Sequence, residues 1–306
     1  MEIVAEENYS RLDVFLCDEL GLSRSQVQRL IKNKNITCYI NANENITRSI
    51  KLKPSMKVLR GEKFFVEIPP SENLTHLEAE NINFEVVYED EYLLVINKPA
   101  GLVVHPAPGN WHGTLVNGLV YRYPELKNLP NFLRPGIVHR LDAGTSGLMI
   151  VARTQKVTLM LQEMLKLREV HKKYIALAHG SPAKHEGILS GPIDRDPNNF
   201  MRMAIIENGR PSLTGYKVLW SMNKFSLIEC NLFTGRMHQI RVHLSALGCP
   251  LVGDNLYGTN DENLPRVYLH SWKLDFTHPV TGENMNFRQN ITQDFIDIIS
   301  RLAKQS

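Results

Sequence analysis

The run His139-Arg140-Leu141-Asp142-Ala143-Gly144-Thr145-Ser146-Gly147-Leu148, continued by Met149-Ile150-Val151-Ala152, carries the densest information in this 306-residue chain. Ile137–Leu141 reads as one strand and Leu148–Ala152 as a second, joined by a turn of small residues. Such a turn sets Asp142 at the edge of a cleft, with backbone and hydroxyl donors around it. An Asx-turn, in which the carboxylate bonds the amides that follow it, is the alternative local reading.

Strand signals continue on both sides. Phe84–Tyr88 and Tyr92–Asn97 flank Glu89-Asp90-Glu91 as a hairpin. Lys98-Pro99-Ala100-Gly101 ends it, and a loop rich in His, Pro and Gly follows at 105–109. Further strands are expected at Lys173–Ala178, Tyr216–Trp220 and Phe225–Leu232. Helices are expected at Thr114–Tyr123, at Thr154–Arg168, at Met237–Leu247 with Gly248 as its stop, and from Thr292 to the C-terminus. Many strands with few helices between them predict an α+β fold built on a mixed, largely antiparallel sheet.

A second polar segment is Thr234-Gly235-Arg236-Met237-His238-Gln239-Ile240-Arg241-Val242-His243. On a helix, His238 and Arg241 share a face while Ile240, Leu244 and Leu247 turn to the core. A basic face that is merely solvated is the plainer reading. His238 and His243 are five apart, not the four that paired metal ligands on a helix require, so a metal role is disfavoured. Tyr174 is a third candidate, set against the commoner outcome of a Tyr on a half-buried strand.

The chain is 43% apolar and 22% charged, the balance of a soluble protein, and its length suggests about two domains. No apolar run approaches a membrane span, and the acidic start at residues 1–7 does not read as a secretory signal. The four cysteines, Cys17, Cys38, Cys230 and Cys249, are scattered, so buried reduced thiols in the cytoplasm are expected. Phosphate-binding glycine loops and metal-ligand motifs are missing, which argues against a nucleotide or metal cofactor.

The net charge of +3 conceals opposite blocks. Residues 24–60 hold nine basic side chains against Glu44 alone, a net +8; residues 71–91 hold seven acids and no Lys or Arg. The basic block falls on two short helices and a few strands. Residues 10–21 have helical apolar spacing, Ser23 with Gln26 forms a capping box for a second helix, Ile36–Ile40 is a strand, 53–57 a turn, and Glu62–Ile68 a closing strand. Basic charge clustered beside a helix is the footprint of a phosphate-backbone binder. A solvated charged face is the alternative.

This N-terminal module resembles the RNA-binding domain of the small-subunit ribosomal protein S-four type, on Arg11-Leu12-Asp13, Ser23-Arg24-Ser25, Leu30-Ile31 and the Lys-Pro-Ser-Met turn. Asn35 stands where that family usually has Gly, and Asn tolerates a left-handed backbone better than most residues. The rest of the chain resembles the RluA-type RNA pseudouridine synthases. The motifs are Asn97–Gly101, the complete H-R-L-D-x-x-T-S-G-L signature at 139–148, K-x-Y at 172–174, T-G-R-x-H-Q-I-R-x-H at 234–243, Cys249 to Gly258, Leu269-His270 and His278-Pro279.

The resemblance implies a module at 1–70, an acidic linker at 71–83 and a catalytic domain at 84–306. It implies isomerisation of uridine within RNA, without cofactor or metal; a monomer in the cytoplasm is expected. Ribosomal RNA of the large subunit is the preferred partner and transfer RNA the alternative. Asp142 matches the catalytic carboxylate, either nucleophile or base. Arg241 matches its cationic partner, which would keep an enclosed Asp ionised. Tyr174 matches a residue that stacks on the base, and Arg140 one that holds or replaces the flipped nucleotide. Arg11, Arg24, Arg29, Lys32, Lys34, His139, Arg236 and His238 are the expected RNA contacts. Two other functions compete: an RNA-binding or ribosome-assembly factor without catalysis, and a hydrolase that releases uracil.

Overall fold

The computed structural model describes residues 2–20, 24–39, 52–67, 77–107, 110–131, 133–199, 201–222, 224–258 and 264–304, without the side chains of residues 24–26, 29 and 39. The chain divides into two units, Met1–His76 and Leu77–Ser306.

In the first unit, strand β1 (Glu2–Val4) precedes helices α1 (Leu12–Leu20) and α2 (Arg24–Lys32) and strands β2 (Ile36–Tyr39) and β3 (Lys63–Val66). The sheet is antiparallel in the order β1-β3-β2. Leu12, Phe15 and Leu16 of α1 and Val27, Leu30 and Ile31 of α2 close over Phe64, Val66 and Cys38, so the unit has its own core. The left-handed residue after α2 is Lys34, with φ 60°, where Asn35 was expected. Asn35 donates its N–H to the Leu30 carbonyl at 2.9 Å, so the left-handed residue falls one position earlier than the sequence suggests. Ser23 and residues 40–51, which include the Asn-rich turn, lie outside the described residues.

The second unit begins within the expected linker. Asn117 Nδ2 donates to the Glu78 carbonyl at 2.8 Å, and the Glu80 N–H donates to the Asn117 carbonyl at 3.1 Å. Ile82 packs so close to α3 (Leu115–Arg122) that a Cβ on Gly118 would stand 2.7 Å from its own. Residues 77–83 are therefore an anchored edge of the larger unit, because their backbone finds partners on α3.

Strands β4 (Glu85–Glu89), β5 (Leu93–Lys98), β6 (Ser146–Ala152), β7 (His171–His179) and β8 (Glu186–Ser190) come first in this unit. The short pair β9 (Ile193–Arg195) and β10 (Met203–Ile205) follows, then β11 (Leu213–Met222), β12 (Phe225–Leu232), β13 (Leu269–Thr277) and β14 (Asn284–Arg288). Among the described residues the main sheet has nine strands, in the order β4-β5-β6-β13-β7-β12-β11-β8, with β14 also beside β13. All its pairings are antiparallel except β6 with β13.

Strand alternation sorts the core into two layers. Leu94, Ile96, Met149, Val151, Tyr174 and Ala176 face α3 and helix α5 (Gln239–Ala246). Their neighbours Leu93, Val95, Leu148 and Ile150 face helix α4 (Gln155–Leu167), and Ile175 and Leu177 face helix α6 (Gln293–Lys304). Every residue of β6 is buried, the pattern of a central strand covered on both faces. The fold class is α+β, as expected. No helix among the described residues is long and apolar enough to cross a membrane. All four cysteines are free thiols.

Candidate active site

The segment before Asp142 is not the strand that its residues suggest. Ile137 makes a single bridge to Val151, and the next contact with β6 is through a side chain: the Ile150 N–H donates to His139 Nε2 at 2.9 Å. Burial, and then the nearby Lys172 charge, push the His139 pKa down to about 3, so its ring is a neutral structural acceptor.

The Asx-turn alternative is also absent. The turn closes through the Asp142 carbonyl, which accepts from the Thr145 N–H at 3.0 Å, and the carboxylate is free for other work. The next carbonyl, of Ala143, accepts from the Gly101 N–H at 2.8 Å and from Lys98 Nζ at 3.1 Å. Lys98 is fully buried and also donates to the Pro99 and Leu102 carbonyls, each at 2.8 Å. Burial lowers its pKa to about 7, with Asp142 pulling it back up. Gly147 sits at φ 110° where β13 crosses, and a Cβ there would meet the Ser271 carbonyl oxygen at 2.2 Å. The signature's Gly is thus required by a backbone crossing.

The second polar segment delivers its groups to the same place. Gln239 latches the loop before α5: its Oε1 accepts from Thr234 Oγ1 at 2.8 Å and the Arg236 N–H at 3.0 Å, and its Nε2 donates to the Leu213 carbonyl and Thr214 Oγ1. His238 precedes α5 with φ 56°, outside the helix that was expected to carry it, and still faces Asp142, Nε2 to Oδ2 at 3.8 Å. Its Nδ1 lies 2.8 Å from the Tyr257 hydroxyl. Burial lowers the His238 pKa. His243 turns elsewhere, to Thr214 and the Gly191 carbonyl.

Arg241 is the electrostatic centre. Its Nε and Nη2 donate to Asp254 at 2.7 and 2.9 Å, and its Nη1 donates to Asp142 Oδ2 at 3.1 Å. The guanidinium lies 5.0 Å over the Tyr257 ring. Burial alone would lower its pKa, but Asp254 and Asp142 more than reverse this, and the net shift is upward. Asp254 is itself fully buried and accepts from the Leu256 and Tyr257 N–H groups at 3.1 and 3.2 Å. Asp254 and Tyr257 fall inside the motif from Cys249 to Gly258, where neither has an expected role.

Asp142, Arg140, Tyr174, Arg241, His139, Arg236 and His238 all line one cavity of about 360 Å³. Tyr174 is 5% exposed, its hydroxyl pKa raised by burial. Arg140 is exposed at the rim and also borders a neighbouring cavity of about 410 Å³ that reaches Asp254 and Arg266. A carboxylate held by a clamped cation, beside an aromatic ring and an apolar floor of Leu141, Ile240 and Leu269, suits a neutral heterocycle attached to a polar sugar.

The remaining expected contacts lie in the first unit. Arg11 forks onto buried Asp13, Nε to Oδ1 at 2.9 Å and Nη2 to Oδ2 at 3.1 Å, and Gln28 Nε2 also reaches Asp13, at 2.8 Å. Lys32 and Lys34 are exposed; Arg24 and Arg29 lie on α2 with side chains outside the description. Among the described residues one group of metal-ligating type occurs, Glu78, Glu80 and His112. Hydrogen bonds with one another and with the Gly113 N–H account for it.

A family profile described as RNA pseudouridylate synthase matches residues 92–246. The chain is 38% identical to ribosomal large subunit pseudouridine synthase D of Nitrosomonas europaea, across 99% of this chain and 88% of that one. It is also 38% identical to an uncharacterized RNA pseudouridine synthase of Bacillus subtilis, across 98% and 96%. Among solved structures, human RNA pseudouridylate synthase domain containing 4 superposes with a TM-score of 0.56 at 26% identity, covering 72% of this chain and 93% of that one.

Proposed function

The chain belongs to the RNA pseudouridylate synthase family and is an isomerase of uridine in RNA; from that premise we propose that Asp142 is its catalytic carboxylate and large-subunit ribosomal RNA its substrate. The observation that carries the first part is the Asp142–Arg241–Asp254 chain at the cavity wall.

In this reading the target uridine is flipped out of its helix and its uracil enters the cavity against Tyr174. Asp142 acts at the anomeric carbon of the ribose, as nucleophile or as base toward the sugar. The bond from N1 to that carbon breaks, the uracil turns, carbon 5 bonds in its place, the carbon-5 proton leaves to water and N1 takes one up. Atoms balance without a co-reactant. Flipping costs a few kcal/mol, which stacking on Tyr174 and phosphate contacts offset. Arg140, exposed at the rim, is placed to occupy the space that the nucleotide vacates. The +8 block of the first unit supplies sequence-independent attraction to RNA. The names of relatives such as the Nitrosomonas enzyme support ribosomal RNA over transfer RNA.

The test uses RNA labelled with tritium at uracil carbon 5. Wild-type protein is expected to release tritium without free uracil, and Asp142→Asn to release none while still binding the RNA. Turnover by Asp142→Asn near the wild-type rate removes Asp142 from the mechanism; free uracil points to hydrolysis instead. Mapping pseudouridines in ribosomal and transfer RNA of a strain lacking the protein tests the substrate.

A further inference from the structure

Strand β7 carries two adjacent lysines with opposite fates. Lys173 turns to one face of the sheet, where its Nζ meets Glu229 at 2.8 Å. Lys172 turns to the other, the face of Tyr174 two residues on. There its side chain is buried, 8% exposed, and it lines the cavity that holds Asp142. Its ammonium has no hydrogen-bond or ion-pair partner among the described residues. Gly235 stands opposite; even a Cβ built there would lie 3.8 Å from Nζ, so the loop leaves the charge uncovered.

A charge on a largely buried side chain that opens into a cavity is left to the water there unless an anion answers it. The other charges of the cavity do not. Lys166 is paired with Glu163 at 3.0 Å, and Arg241 is held by Asp254 and Asp142. Asp142 is the one carboxylate among the cavity's lining residues, against five Lys and Arg side chains. Burial lowers the Lys172 pKa to about 8, which still leaves the ammonium largely charged near pH 7. A uracil ring is neutral and would leave that charge unanswered, whereas the nucleotide's phosphodiester would neutralise it.

We propose that Lys172 binds a backbone phosphate of the flipped nucleotide, fixing how deep the ribose sits relative to Asp142. The inference rests on the reading of this cavity as the site of an RNA uridine. It makes Lys172 a substrate-binding residue for the strand, distinct from the base contact at Tyr174.

The experiment uses the full chain and an in vitro transcript of large-subunit ribosomal RNA, with Kd measured over a salt series and tritium release followed in parallel. Lys172→Gln is expected to weaken binding by about tenfold and to flatten the slope of log K against log salt by about one. Lys172→Arg is expected to restore the slope. If the Gln variant does not reach the folded state by circular dichroism, Lys172→Met, which fills the same volume, takes its place. Unchanged Kd and salt slope would overturn the proposal, as would a loss confined to turnover at saturating RNA with the salt slope intact. Wild-type binding and turnover on the same transcript report separately on the function itself.

Discussion

Asp254 grips Arg241 through two parallel bonds, Nε to Oδ2 at 2.7 Å and Nη2 to Oδ1 at 2.9 Å, and so decides which corner of the guanidinium is left for Asp142. Fork-to-fork pairing of this kind fixes orientation as well as charge.

Asp254→Asn should therefore damage both stability and turnover. Breaking a buried pair costs roughly 3–5 kcal/mol, a fall in Tm on the order of 10 °C for a unit of this size. Misplacing Arg241 by about 1 Å would lower turnover about 100-fold. Thermal unfolding and tritium release measure the two effects. A variant within twofold of wild-type turnover and within 2 °C of its Tm would show that Asp254 does not hold the site.

Gly147→Ala tests the crossing of β6 and β13. The added Cβ would meet the Ser271 carbonyl oxygen at 2.2 Å, and neither backbone can move without opening the parallel pairing of Ser146 and Gly147 with His270 and Ser271. The expected result is a protein mostly insoluble, or destabilised by about 3 kcal/mol or more. Normal yield and a Tm unchanged within 2 °C would contradict that geometry.

His139 gives a signed pH dependence. Its folded pKa of about 3 lies below an unfolded value of about 6.5. Its contribution to stability is thus complete above pH 6.5 and is lost as pH falls toward 3, where the unfolded chain takes up a proton that the folded ring refuses. The slope from this one site is at most about 1.4 kcal/mol per pH unit. In urea unfolding at pH 7, 5.5 and 4, the gap between wild type and His139→Gln should narrow as the pH drops. A constant gap would mean that the ring takes up its proton over the same pH range in the folded and unfolded chains.

Removal of residues 1–76 leaves a unit with its own sheet and core. The shortened protein is expected to fold, to bind RNA more weakly and to show a shallower salt dependence. Equal affinity and equal salt slope would take the basic block out of RNA binding.

The legible parts of the fold were strands with continuous apolar runs, such as β5 and β6, or with alternation, such as β12, and helices with a clear stop, such as α5 before Gly248. Ile137–Leu141 was misread because its apolar residues pack beside β6 while its hydrogen bonding passes through the His139 ring. Strand β13 was overlooked for a related reason. Its first residues include buried His270 and Ser271, polar side chains that break the pattern and are satisfied by distant partners, as when Ser146 Oγ meets His270 Nδ1 at 2.9 Å. At the site, the motifs at 139–148 and 234–243 pointed to Asp142 and Arg241, which the fold brings within 3.1 Å of each other. Asp254 stayed hidden because its task exists only after residues 253–257 fold against α5.

The three carbonyl bonds of Lys98 carry a consequence for the energetics of turnover. One of them ties Ala143, the residue after Asp142, to the end of β5, and the other two hold that lysine in place, so this turn is set before any RNA arrives. On the proposed function the moving part is the nucleic acid. Activation entropy and temperature dependence should then follow the unpairing of the substrate helix, and a uridine already unstacked in a bulge should react faster than the same uridine inside a duplex.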